Sequence, residues 1–222
     1  MIRFFDIFFS SCALFIFCPF LLVIIALLRF TGEGEIFYKQ SRIGINGEKF
    51  SLLKFATMLK GSELMKGGTI TMKNDPRVLP VGSFLRKTKI NEVPQLLNVL
   101  IGNMSLIGPR PLTMKEFSYY DLHSQKIITN MKPGLSGMAS IIFRDEESMF
   151  EKNENTNEFY RNKIAPYKAE IEIWFHKNYS LVNYFLLIMM TIWAVIFKST
   201  SIYRKVFKDL PPVPQNLSKY LS

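Results

Sequence analysis

Arg86, Asn91, Glu92 and Arg110 combine residue types suited to phosphate chemistry, and all four lie in one block from Gly82 to Pro111. Pro94 is comfortable only in the first turn of a helix, which predicts Asn91 as its N-cap and Glu92 as its first-turn acid. A helix start of that kind offers free N–H groups and a partial positive charge to an anion, and Arg86, Lys87, Lys89 and Arg110 would bring further donors. Arg110 is the strongest single candidate. Between Pro109 and Pro111 its backbone has few conformations, so its guanidinium fork is pre-organised for a bidentate phosphate contact.

The same residues have an ordinary structural reading, and on residue chemistry alone it is the favoured one: Asn91 as a cap, Glu92 as a surface acid matched to the helix dipole, Arg86 to Lys89 as a solvated or lipid-facing cluster. Lys54, Asp75 and Arg77 are ambiguous on the same grounds. His123 and His176 have no partner at metal-ligand or triad spacing and read as surface or core residues.

The elements that would position these residues follow from the apolar pattern. Ile7 to Leu28 carries no charge, which is long enough for the roughly 30 Å of a bilayer's hydrocarbon. Arg3 and Arg29 flank it, so the charge bias does not place one end outside, and Pro19 near its middle favours a kinked or doubled-back helix with both arginines on the cytoplasmic side. No small-residue cleavage site follows, which disfavours a signal peptide. A second apolar segment, 179–198, carries Asn183, Trp193 and lysine flanks and reads as lying in the membrane interface rather than spanning it. Between them, strands are predicted at Glu35–Gln40 and Phe50–Phe55 around a Gly44–Gly47 turn, and helices at Val93–Ile101, Thr113–Asn130 and Glu158–His176. The division is 1–30 as membrane anchor, 31–178 as catalytic domain, 179–198 as interfacial helix and 199–222 as a C-terminal tail, loose after Asp209.

The chain has 222 residues, 48% of them hydrophobic, with 28 Lys and Arg against 18 Asp and Glu and a net charge of +10. That composition excludes a disordered or low-complexity protein. Residues 1–111, 112–176 and 177–222 carry charges of +7, −2 and +5, so the basic excess lies beside the two apolar segments. Such a distribution suits anionic membrane lipid, and no nucleic-acid motif accompanies it. Cys12 and Cys18 both fall inside one apolar run and form neither a disulfide framework nor a zinc site.

The order of motifs resembles the bacterial sugar transferases, the monotopic polyprenyl-phosphate phosphoglycosyl transferases, over roughly residues 1–197. The resemblance rests on Arg3 and Asp6 before the anchor, Gln40-x-Arg42-x-Gly44, Lys54-Phe55-x-Thr57-Met58, Asp75-Pro76-Arg77, the block from Arg86 to Arg110, and Lys132 to Gly137. It implies an α/β, mostly helical fold: a re-entrant membrane helix broken at Pro19, anchoring a small catalytic domain with interfacial helices on the cytoplasmic face of the bacterial inner membrane. It also implies transfer of a sugar-1-phosphate from a UDP-sugar to undecaprenyl phosphate, releasing UMP, with Mg²⁺ as cofactor. Arg110, Arg86 and Lys54 would neutralise phosphate, and Glu92 would serve in catalysis and metal binding. Asp6 and Arg3 would set the helix at the surface, and Ile141 to Glu147 would contribute to the sugar pocket. A homo-oligomer is left open.

The chain departs from the family pattern where an Asp-Glu pair is usual, because Asn91-Glu92 replaces it and a carboxamide is a poor nucleophile. Asn103 likewise stands for an Asp, and Ala56 for a basic residue. Three readings follow: Glu92 as nucleophile or metal ligand in a direct transfer with Asn91 as a polar positioner, a weak or inactive relative that binds nucleotide sugar or polyprenyl phosphate in a membrane assembly, or a different donor or acceptor. As a cap, Asn replaces Asp with little structural loss.

Overall fold

The computed structural model describes residues 1–65, 71, 74–150, 155–197 and 203–221. Its helices are α1 (Ile2–Phe30), α2 (Pro80–Lys87), α3 (Gln95–Ile101), α4 (Met114–Phe117), α5 (Leu122–Thr129), α6 (Met138–Ile142), α7 (Thr156–Phe159), α8 (Ala165–Lys177), α9 (Leu181–Phe197), α10 (Tyr203–Val206) and α11 (Ser218–Leu221). Strands β1 (Phe37–Ile43) and β2 (Lys49–Phe55) form an antiparallel hairpin, and the short β3 (Ser105–Ile107) and β4 (Gly134–Ser136) pair in parallel. The architecture is mostly helical α/β. The ends of the 179–198 and 199–222 segments at Lys198, residues 199–202 and Ser222 lie outside the described residues.

Helix α1 is long and apolar enough to cross a membrane. The sequence predicts a break at Pro19, but the backbone is helical from Ile2 through Phe30 with Pro19 inside it. A proline removes one hydrogen bond and bends a helix without ending it when the turns on both sides are strong helix formers. The burial along α1 is uneven. Asp6 and Ser10 near one end and Ile24 and Leu28 near the other are buried, whereas every residue from Phe15 to Phe20 is exposed.

The N-terminal end is tied by polar contacts. Asp6 Oδ1 accepts from Ser105 Oγ, Leu106 N and Tyr184 Oη, each at 2.9 Å, and is itself 2% exposed. Arg3 donates to the carbonyls of Val99 and Leu100 at the end of α3. At the other end, Ile24 and Leu28 pack in one apolar cluster with Phe55 and Leu85.

The hairpin holds the register Phe37↔Phe55 to Ile43↔Lys49, with the rings of Phe37 and Phe55 stacked. Strand β1 runs three residues past the predicted Gln40 because Lys39 to Arg42 alternate on a half-exposed ribbon, which looks polar in sequence. The predicted helix over Thr113–Asn130 is two helices. Thr113 and Glu116 form a capping box on α4, and Asp121 Oδ1 accepts from Ser124 N to start α5 anew. The predicted Glu158–His176 helix is α7, a π-helical turn over Tyr160–Ile164, and α8. The widened turn lies immediately before Pro166, whose missing N–H it accommodates.

The main core is built from α5, α6, α8 and α9, with Tyr167, Ile171, Phe175, Tyr184 and Leu187 fully buried. The C-terminal tail is not loose. Tyr203, Phe207, Leu217 and Leu221 join that core, Tyr167 Oη donates to the Pro211 carbonyl at 3.0 Å, and Trp174 Nε1 donates to Asp209 Oδ2 at 3.1 Å. The prolines after Asp209 stiffen a segment whose large apolar residues find partners on α7 and α8. Two glycines set close backbone crossings. A Cβ at Gly82 would stand 2.2 Å from the Thr57 carbonyl oxygen, and one at Gly134 would stand 2.1 Å from the Gly108 nitrogen.

Candidate active site

Each charged residue of the site comes from a different stretch of the chain. Lys54 is near the end of β2, Arg86 in the last turn of α2, Glu92 just before α3, and Arg110 just after β3. Asn98 on α3 couples two of these elements: its Oδ1 accepts from Leu53 N at 2.9 Å and its Nδ2 donates to the Ser51 carbonyl at 2.8 Å. The strand that carries Lys54 is thereby locked to the helix that follows Glu92. The Gly82 crossing, with Leu79 N donating to the Thr57 carbonyl at 3.0 Å, brings α2 and Arg86 against the same strand end.

Asn91 is not the N-cap that Pro94 predicts. Lys89 has φ +62°, Ile90–Glu92 form a 3₁₀ turn, and α3 starts at Gln95 with Pro94 as the flanking residue. The proline ring would meet the carbonyl of residue 90 in an α-helix, so the chain takes the tighter turn instead. Asn91 is 6% exposed, and its Oδ1 makes no hydrogen bond. Lys89 holds a left-handed conformation unusual for a side chain with a Cβ, next to the two candidate residues.

Three of the predicted residues converge. Glu92 Oε1 lies 3.6 Å from Lys54 Nζ and 3.8 Å from Arg110 Nη2. Both distances exceed a hydrogen bond, so the carboxylate is flanked by two cations without being clamped by either. Arg86 lines the same cleft, but its guanidinium is paired with Glu147 and lies 3.7 Å from Met58 Sδ. The cleft encloses about 1340 Å³ and is lined also by Asn91, by Ser140 to Glu147 in part, and by Ile188, Thr191, Ile192 and Val195 of α9.

The electrostatics are set by an excess of cations. Burial opposes ionisation of Glu92, yet Lys54, Arg110, Lys89 and Arg86 together hold its carboxyl down at about 2. Burial pushes the Lys54 ammonium down to about 8, with Glu92 resisting and Arg42, Arg110 and Arg86 adding to the fall. Arg86 and Arg42 have carboxylates of their own in Glu147 and Glu116, but Glu92 alone faces Lys54 and Arg110 with Lys89 nearby, and that surplus positive charge is a binding potential for an anion. Lys54 is cationic below about pH 8 and neutral above it, whereas Glu92 stays ionised throughout the neutral range. Affinity of the metal-free protein for a UDP-sugar, whose diphosphate diester does not titrate near neutrality, is therefore expected to be flat from pH 5 to 7 and to fall as pH rises through about 8. Calorimetry across that range checks it, and a Lys54→Arg protein should lose the alkaline fall; an unaltered fall in Lys54→Arg would assign it elsewhere.

The sequence did not single out a second charged layer behind the cleft. Arg42 donates to the Pro111 carbonyl at 3.0 Å and pairs with Glu116 at 3.0 Å. Lys168 pairs with Glu146 at 2.7 Å and lies over the rings of Phe143 and Tyr160. Glu172 is 4% exposed, and burial pushes its carboxyl up to about 8. Thr113-x-x-Glu116 is a readable capping signal, but Lys168 and Glu172 have the spacing of an ordinary surface i,i+4 pair, and nothing in their types shows that they face inward.

Among the described residues no three His, Cys, Asp or Glu side chains converge into a metal cage. Glu92 is the one acid placed between Lys54 and Arg110. A single carboxylate fits a magnesium ion whose other ligands are substrate phosphates and water, and does not fit one held by protein alone.

A family model for bacterial sugar transferases matches residues 1–198. The exopolysaccharide production protein ExoY of Rhizobium meliloti (strain 1021) is 35% identical over 207 residues, covering 87% of this chain and 84% of that protein. EpsL of Bacillus subtilis (strain 168), described as an uncharacterized sugar transferase, is 33% identical over 199 residues, covering 87% and 86%. The UDP-glucose:undecaprenyl-phosphate glucose-1-phosphate transferase of Escherichia coli (strain K12) is 35% identical over 173 residues, 77% of this chain but 36% of that protein. The matched stretch contains the whole cationic site and both long apolar helices up to Phe197, and the chain belongs to the bacterial sugar transferase family.

Proposed function

We propose that the protein transfers a sugar-1-phosphate from a UDP-sugar to a polyprenyl phosphate, undecaprenyl phosphate in the first instance, at the cytoplasmic leaflet of the bacterial inner membrane. One observation carries this reading. A single cleft joins a cationic end, Lys54, Arg86 and Arg110 around Glu92, to an apolar wall from α9, where Ile192 and Val195 are also exposed on the helix's outer side. A diphosphate donor fits the first and an acceptor with a phosphate head and an isoprenoid chain fits both.

In the direct form of the reaction, an oxygen of the acceptor phosphate attacks the donor's β-phosphorus. The bond from that phosphorus to the bridging oxygen breaks, and UMP leaves with the oxygen. In-line transfer of this kind needs positioning and charge neutralisation more than covalent participation by the protein. Lys54 and Arg110 neutralise the diphosphate, and Arg86 joins them once phosphate displaces Glu147. Glu92 would hold a Mg²⁺ ion together with the diphosphate and water, and that ion would supply charge withdrawal from the phosphate oxygens. Asn91, buried with a free carbonyl oxygen, is a polar positioner beside it.

The exposure of α1 supports a re-entrant placement. Both ends dock on the same body while every residue from Phe15 to Phe20 is exposed, as expected of a helix whose middle enters lipid. Helix α9 buries Tyr184, Leu187, Met190 and Ala194 and exposes Val182, Met189, Ile196 and Phe197, so its outer face is apolar as well, which suits a helix lying in the interface. The decisive assay is polyprenyl-dependent release of UMP by membranes carrying the protein, with Mg²⁺ and a panel of UDP-sugars. Release with one sugar supports the reading and names the donor; no release with any, in protein that is folded and membrane-bound, removes it.

A further inference from the structure

The tripeptide Pro109-Arg110-Pro111 contains a single backbone N–H, because neither proline has one. Its polar groups are held from three sides. The Pro109 carbonyl accepts from Gly134 N at 2.8 Å, the Pro111 carbonyl accepts from Arg42 Nη1 at 3.0 Å, and the Arg110 N–H donates to Glu172 Oε1 at 3.3 Å. Prolines on both sides leave the residue between them little freedom except rotation of that one peptide unit, so whatever holds its N–H holds the direction in which the side chain leaves.

Glu172 lies in the middle of α8, remote in sequence from the cationic block. A carboxyl group buried to this degree is costly, and a well-packed apolar residue would serve packing better. Its second oxygen, Oε2, has no hydrogen-bond partner, so Oε1 and its contact with Arg110 account for its polar character. Lys168 pairs instead with Glu146.

We propose that Glu172 is the positioning residue of Arg110: by taking the only N–H of this loop, it aims the guanidinium at Glu92 and at the phosphate that binds there. It touches no reacting atom. Its role in turnover rests on the function proposed above, but its hold on the Arg110 amide does not. Because burial keeps the carboxyl protonated at neutral pH, glutamine is a close replacement, with the same acceptor oxygen and no charge.

Two measurements on the full chain in lipid nanodiscs test this, with Glu172→Gln and Glu172→Leu run beside the intact protein. Hydrogen exchange at the Arg110 amide, isolated by ¹⁵N-arginine labelling, should stay slow in Glu172→Gln and become fast in Glu172→Leu. UDP-glucose affinity and UMP release should fall roughly tenfold or more in Glu172→Leu and be largely rescued in Glu172→Gln. In an Arg110→Lys background the further change to Leu should cost little, because the two residues act as one unit. Slow exchange in both variants, or equal loss in Gln and Leu with the fold intact by thermal melting, would overturn the proposal. Absence of both nucleotide binding and turnover in the intact protein would remove the proposed function, while the exchange result would still decide whether Glu172 holds Arg110.

Discussion

Glu92→Gln is expected to lower polyprenyl-dependent UMP release by about a hundredfold to a thousandfold, with a lowered but still cooperative thermal melt. The carboxylate lies 3.6 Å from Lys54 and 3.8 Å from Arg110, with neither contact close enough to be a structural hydrogen bond. Its loss removes no structural hydrogen bond but leaves Lys54 and Arg110 without their counter-charge, so the melt falls while the fold persists. Functionally the amide is a poor substitute, because it carries no charge to set against two cations and is a weak ligand for a magnesium ion. Asn91→Asp belongs in the same experiment. It places a second carboxylate in a site with surplus positive charge, where Lys54, Arg110, Lys89 and Arg86 already draw the pKa of Glu92 down. The expected result is activity retained in Asn91→Asp and lost in Glu92→Gln. If the intact chain is silent and Asn91→Asp is active, the scaffold is competent and the natural chain is a binding or assembly protein. Full activity in Glu92→Gln would end any catalytic or metal-binding role for that residue.

Asp6→Ala should destabilise the protein by about 3 to 5 kcal/mol, the largest structural effect expected of a single polar change outside the cleft. One carboxylate oxygen accepts three hydrogen bonds at 2.9 Å, from Ser105 on β3, Leu106 on β3 and Tyr184 on α9. Alanine leaves all three donors buried without an acceptor and releases α1 from the two elements that bracket the site. Asp6→Asn keeps an acceptor oxygen and should recover part of the loss. Thermal unfolding with limited proteolysis near the N-terminus reads both effects. An Asp6→Ala protein as stable and as protease-resistant as the intact one would show that α1 is held by its apolar end alone, through Ile24 and Leu28.

Family, the long apolar N-terminal helix and the residue types of the site were legible from residue order alone. A charge-free run from Ile7 to Leu28 can only be buried or placed in lipid, and the block from Arg86 to Arg110 concentrates cations, an acid and helix-starting residues within one short stretch. The β1–β2 hairpin was also readable, since apolar runs on either side of a glycine turn pair locally and need no distant contact. Local signals failed where a proline or a cap competes with periodicity. Pro94 turned an expected α-helical N-cap into a 3₁₀ turn with Asn91 buried in it, Asp121 split one helix into two, and Pro166 forced a π turn.

Only the tertiary structure decided which charges meet. Lys54 and Glu92 are joined because Asn98 bridges β2 and α3, and Glu172 reaches Arg110 from 62 residues away through the packing of α8 against α5 and α6. The tail after Asp209 reads as a loose proline-rich end, yet it completes the core because Leu217 and Leu221, with Leu210, Val213 and Tyr220 packed beside them, find apolar surface on distant helices. Residue order determined the family, an apolar helix long enough to cross a membrane and a clustering of cations, because composition and short-range spacing are local properties. The depth at which each charge is buried, and hence its pKa and its partner, is a property of segments brought together from far apart, and no local pattern encodes it.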